Sequence, residues 1–107
     1  MLEIRRYVNP AGKDVFGEWT RSLRDHRAYA RIRVRLARLQ AGNFGDCRPV
    51  GGGVLELRID YGPGYRVYLA KIGRRVVLLL GGGDKRRQQA DIQAAIASFE
   101  EFKGRQQ

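Results

Sequence analysis

Val54-Leu55-Glu56-Leu57-Arg58-Ile59, a turn of Tyr61-Gly62-Pro63-Gly64, and then Tyr65-Arg66-Val67-Tyr68-Leu69-Ala70-Lys71-Ile72 make up the stretch on which the reading of this chain depends. In the first run Leu55, Leu57 and Ile59 alternate with Glu56 and Arg58. In the second, Val67 and Leu69 alternate with Arg66 and Tyr68. Strand side chains point alternately to opposite faces, so each run predicts a strand with one apolar side. The Gly-Pro-Gly turn between them predicts antiparallel neighbours. With the apolar set against helices, Glu56, Arg58, Arg66 and Tyr68 share the other side, a concave or open sheet surface.

Working outward, residues 75–80 are a continuous apolar run after Arg75, suited to a central strand covered on both faces. The runs Gly51-Gly52-Gly53 and Gly81-Gly82-Gly83 read as loop punctuation, the second delivering Lys85, Arg86 and Arg87 to one rim of the sheet. Over 87–102, Ile92, Ile96 and Phe99 fall on one helical stripe. Upstream, Leu2 and Ile4 alternate with charged residues as in a strand, and Asn9-Pro10 ends it and starts a helix. Val15, Phe16, Trp19 and Leu23 share a helical face over 13–23, where Gly17 costs about 1 kcal/mol against Ala. After a break at Asp25-His26, residues 27–41 are ambiguous. Arg31 to Leu36 alternates like a strand, yet Tyr29, Ile32, Leu36 and Leu39 keep helical spacing and Gly42 stands at a cap position. Helix is the better reading, with Val34 as its misfit. The expected fold is a single α+β domain over 1–107: one strand and two helices, followed by an antiparallel sheet of three or four strands and a C-terminal helix.

The 107 residues carry a formal charge of +10, from 21 Lys and Arg against 11 Asp and Glu. Such a field draws in polyanions, so nucleic acid or an acidic partner is expected. A single cysteine, Cys47, forms no internal disulfide and reads as a small packed residue; with one histidine, His26, a zinc site within one chain is disfavoured. Nothing near the first residues resembles a signal peptide, and the apolar run at 76–80 is too short to span a bilayer, so a cytoplasmic location is expected. Gly81-Gly82-Gly83-Asp84-Lys85 lacks the spacing of a phosphate loop, which argues against nucleotide binding.

Arginine forks match phosphate oxygens bidentately and a tyrosine can stack on a base, so the Glu56, Arg58, Arg66 and Tyr68 face could form an RNA-binding floor. Alternation alone equally describes a sheet face that merely meets water. The segment from Arg21 to Arg38 holds seven arginines and one aspartate. It suits phosphate contact, an acidic partner segment, or the wet side of an amphipathic helix. His26 has no Ser, Cys or carboxylate pattern of a catalytic triad beside it and reads as a surface residue.

Taken together, Gly42-Asn43-Phe44-Gly45-Asp46, Val54-Leu55-Glu56-Leu57-Arg58-Ile59, Gly62-Pro63-Gly64-Tyr65-Arg66-Val67-Tyr68 and Leu80-Gly81-Gly82-Gly83-Asp84-Lys85 resemble the RelE/ParE toxin superfamily, in its HigB-like, addiction-module-killer branch. The resemblance runs from the first strand to Ile92 and Ala95. It implies a RelE-like fold, a toxin of a type II toxin–antitoxin system, and a cognate protein antitoxin, itself a helix-turn-helix DNA-binding protein, that blocks it. It further implies ribosome-dependent cleavage of mRNA by attack of the RNA's own 2′-hydroxyl, inhibiting translation with no metal and no small-molecule cofactor. Carried over by position, Arg66, Arg58 and Lys85 would stabilise transition-state charge. On the reading of the sheet face and its rim, Tyr65, Tyr68, Arg86 and Arg87 would contact RNA. The sequence departs from the RelE pattern at two places: Glu56 stands where a lysine is usual, and Asp91 where a tyrosine is. Glu56 could serve as general base and Asp91 could assist, or either could simply pair with Arg58 or Lys85. Two other readings stand beside the nuclease: a ParE-like protein that binds DNA gyrase without cutting RNA, and a non-catalytic RNA-binding module.

Overall fold

A computed structural model describes residues 1–105. The chain runs β1 (Glu3–Arg6), α1 (Val15–Ser22), α2 (His26–Gln40), β2 (Cys47–Gly51), β3 (Val54–Ile59), β4 (Tyr65–Ile72), β5 (Val76–Asp84), a short 3-10 turn (Lys85–Arg87) and α3 (Gln88–Arg105). It is an α+β fold built on one five-stranded sheet, in the spatial order β1-β5-β4-β3-β2.

The expected plan of one strand and two helices followed by an antiparallel sheet and a C-terminal helix is overturned by this sheet, which is mixed. β1 lies parallel to β5, Glu3 opposite Val76 and Arg6 opposite Leu79, while the other pairs are antiparallel. β5 has apolar residues on both faces and gives one edge to β4, so its other edge is open to Leu2 and Ile4, which join the same apolar layer as Val77 and Leu79. Alternation reports the face of a strand and is silent on its direction. β2 is also additional to the expected strands: it takes in Gly51 of the run that reads as loop, and its Pro49 sits on an edge strand, where a missing N–H is tolerated.

Helices cover both faces. Phe16 of α1 and Ile32 and Leu39 of α2 pack on Leu57, Ile59, Val67, Leu69, Val77 and Leu79. On the reverse side Ile92, Ala95 and Phe99 of α3 pack on Val54, Tyr68, Ala70, Leu78 and Leu80, with Tyr7 beneath. Local signals set the helix ends. The Asp14 carboxylate accepts from the Gly17 N–H to start α1, later than Asn9-Pro10, whose Asn9 side chain instead accepts from Ala11 and Lys13 in a turn. Asp25 caps α2 through the Arg27 N–H, and Gly42 follows its end with φ of 94°. Val34 is half exposed on α2, in keeping with its misfit. Gly81, Gly82 and Gly83 are strand residues of β5 rather than a loop: a Cβ on Gly82 would collide with the Trp19 ring, and one on Gly83 with the Asp91 carboxylate. Among the described residues, no helix is long and apolar enough to cross a membrane.

Candidate functional site

The β3–β4 register sets Glu56 opposite Tyr68 and Arg58 opposite Arg66, and the β4–β5 register sets Arg66 opposite Gly83. The four polar residues therefore share one face, but α3 divides it. Over the half that α3 covers, Tyr68 is 1% exposed and Glu56 is wholly enclosed. Beyond the start of α3 the face opens into a cleft of about 410 Å³, walled by Arg58, Arg66, Lys85, Asp46, Asp60 and the Gly62-Pro63-Gly64 loop.

Below that cleft lies a buried polar network. Glu56 accepts hydrogen bonds from Arg58 Nε at 2.9 Å, Tyr68 O–H at 3.1 Å and Gln88 Nε2 at 2.9 Å, and stands 3.9 Å from Arg66 Nε. Burial pushes its pKa up, but the three donors and the Arg66 charge outweigh that, and the carboxyl is held below its ordinary range. Glu56 is thus an ionised anchor under the cations, enclosed away from any substrate in the cleft. Burial, and then the Glu56 charge, drive the Tyr68 phenol upward, so it stays a neutral donor. Arg66 is itself 9% exposed, and its Nε is buried without a hydrogen-bond partner among the described residues.

The sequence-predicted residues therefore separate. Arg58, Arg66 and Lys85 line one cleft. Tyr68 is sealed beneath α3 and offers no ring to a base, a correction that follows from the helix covering its face. Tyr65 faces the other side of the sheet, 6.3 Å from Trp19. Arg86 and Arg87 are exposed on the 3-10 turn and do not wall the cleft; Arg86 pairs with Asp84 at 3.1 Å. Asp91, in the first turn of α3, rests on Gly83, the partner of Arg66; burial above all raises its pKa. His26 is exposed in the first turn of α2 and Cys47 is half-buried in β2.

Two structural contributors carry no sequence signal. Gln88 supplies a donor to Glu56 from the start of α3. Arg35 of α2 donates to the carbonyls of Arg58, Phe44 (3.1 Å) and Asp46 (3.3 Å), fixing the β3 end and the loop beside the cleft. A larger cleft of about 490 Å³ lies at the other end of the sheet, between Met1, Leu2, Ala41, Gly42, Arg74 and Arg75, and offers no carboxylate, thiol or imidazole.

No known protein-family profile matches the chain. It is similar to an uncharacterized protein of Haemophilus influenzae, 51% identical over 80 residues that span 75% of this chain and 81% of that protein.

Proposed function

We propose, for a chain that belongs to the same family as the uncharacterized Haemophilus influenzae protein, that it cuts RNA at a phosphodiester held in the Arg58–Arg66–Lys85 cleft. The observation that carries this reading is the state of Arg66. Its guanidinium is nearly buried, its Nε faces the Glu56 carboxylate at 3.9 Å, and two further cations share its cleft. Glu56 offsets part of that positive charge, and an RNA phosphate would bind beside the three cations, with Asp46 and Asp60 on the same wall. Cations fixed in a partly dry cleft stabilise the extra charge on phosphorus in the transition state without reorganising during the reaction.

In the step proposed, the 2′-oxygen of the RNA attacks the adjacent phosphorus. The O2′–P bond forms and the P–O5′ bond breaks. The 2′-hydroxyl proton passes to a carboxylate and a proton returns to the leaving 5′-oxygen. Carboxyls at hand are Asp46 and Asp60 on the cleft wall and Asp91 over Gly83. Glu56 positions the guanidiniums and stays out of the proton transfers. The wider proposal follows the resemblance to RelE/ParE toxins: a cytoplasmic toxin that acts on ribosome-bound mRNA and is blocked by a protein antitoxin.

Incubating the purified protein with ribosome-bound message and mapping the transcript ends tests the reading. Cut transcripts are expected with the native chain, and Arg66→Ala should lower the rate by about 10²-fold or more. Intact transcripts combined with DNA-damage induction and filamentation in cells would instead favour gyrase binding. A fully active Arg66→Ala protein would refute the site.

A further inference from the structure

We infer that the arginine face of α2 continues the cleft as a track for single-stranded RNA, so that the protein grips several nucleotides beside the one it cuts. The inference rests on the reading of the cleft as an RNA site. A second groove, of about 290 Å³, lies between α2 and the end of β3, lined by Arg31, Val34, Arg35, Arg38, Ile59 and Asp60. Ile59 and Asp60 also wall the Arg66 cleft, so the two depressions flank the same strand end.

The cations in this groove differ in their commitments. Arg35 is used up on backbone carbonyls. Arg31 and Arg38 form no ion pair with a carboxylate among the described residues. The Arg31 guanidinium carbon lies over the Tyr61 ring, 4.5 Å from its centroid, and Tyr61 donates its O–H to Asp25 Oδ2 at 2.9 Å. That holds a guanidinium beside Tyr61, the residue before the Gly62-Pro63-Gly64 loop. Guanidiniums stack on unpaired bases as well as pairing with phosphates. Val34, 50% exposed among these arginines, gives an apolar spot suited to a ribose or base face.

Asp60 contributes the one carboxylate on the shared wall. It repels phosphate there, so a strand crossing from one groove to the other turns a base or ribose towards it, with phosphates on either side at Arg66 and Arg38. An acidic amphipathic helix fits less well, because a helix docked in a groove needs apolar anchors at i, i+3, i+4 and i+7. This groove offers exposed Val34, while Tyr29 lines a different groove with Ile4 and Phe16.

Fluorescence anisotropy with 2′-O-methyl RNA, which lacks the attacking hydroxyl, tests the inference with a 3-mer and a 12-mer. The native chain should bind the 12-mer the more tightly. R31Q/R38Q should weaken the 12-mer about tenfold and lower its salt slope by about 1.4, two phosphate contacts at about 0.7 each. The same variant should bind the 3-mer unchanged, which also reports that it is folded. Asp60→Asn should tighten the 12-mer. Unaltered 12-mer affinity and salt slope in R31Q/R38Q overturn this inference alone. Unaltered 3-mer binding in Arg66→Ala overturns the cleft reading and this inference with it. An acidic amphipathic peptide whose binding needs Arg31 and Arg38, with RNA indifferent to both, would assign the face to a protein partner and overturn the track.

Discussion

Arg58 and Arg66 stand directly opposite one another on β3 and β4, and the carboxylate of Glu56 reaches both, at 2.9 Å from one Nε and 3.9 Å from the other. Like charges paired across strands destabilise a sheet. Here the buried carboxylate offsets that repulsion and lets two guanidiniums stay side by side.

Glu56→Gln should therefore cost about 3 kcal/mol of folding stability at neutral pH, the usual consequence of removing one partner from a buried ion pair. The Glu56 pKa is depressed in the fold, through its hydrogen bonds to Arg58, Gln88 and Tyr68 and the Arg66 charge, against burial. Its contribution is thus fully present above the unfolded value of about 4.3 and lost as pH falls through the lower folded value. Urea denaturation at a series of pH values should show that the variant lacks this part of the acid loss. A variant as stable as the native chain at pH 7 would contradict the anchoring role.

Asp91→Asn should act in the opposite direction. Burial raises the Asp91 pKa above that of an unfolded aspartate, about 3.9. Stability from this group is then present below that value and lost as pH rises through the folded pKa. Asparagine never ionises, so the variant should be the more stable at pH 7, with the difference vanishing in acid. Thermal melts at two pH values measure it.

Gly82→Ala should destabilise by about 2 kcal/mol, because the added methyl meets the Trp19 ring where α1 lies on β5. Trp19 is the single tryptophan of the chain, so its emission reports the displacement directly.

Tyr7→Phe should cost about 1 kcal/mol. The Tyr7 hydroxyl donates to Glu101 at 2.6 Å from a ring only 3% exposed, and Glu101 also holds Arg105 at 2.8 Å. Chemical denaturation with an unchanged m-value is the expected signature.

Much of the local structure is legible in the residues. Alternation marks β3 and β4, and the same parity brings Glu56, Arg58, Arg66 and Tyr68 to one face. Asp25 and Gly42 bracket α2, and the stripe of Ile92 and Phe99 marks α3. What escapes is the partner of each face. Val54 and Ala70 have the parity of the polar residues, yet they are core residues under α3. Those two apolar positions are the signal that the polar face is half covered, and that Tyr68 is inside. The direction of β1 and the existence of β2 depend on tertiary pairing, which a period of two does not encode.

The parallel seat of β1 beside β5 has a consequence for biosynthesis. Glu3–Arg6 leaves the ribosome well before its hydrogen-bonding neighbours in Val76–Leu79. Closing so long a loop is slow relative to local pairing, so β1 waits without these partners until β5 has been made. The hairpin ladder from β2 to β5 can assemble in the order of synthesis. Docking of β1 then follows the synthesis of β5 and adds Leu2 and Ile4 to the layer on which α1 packs.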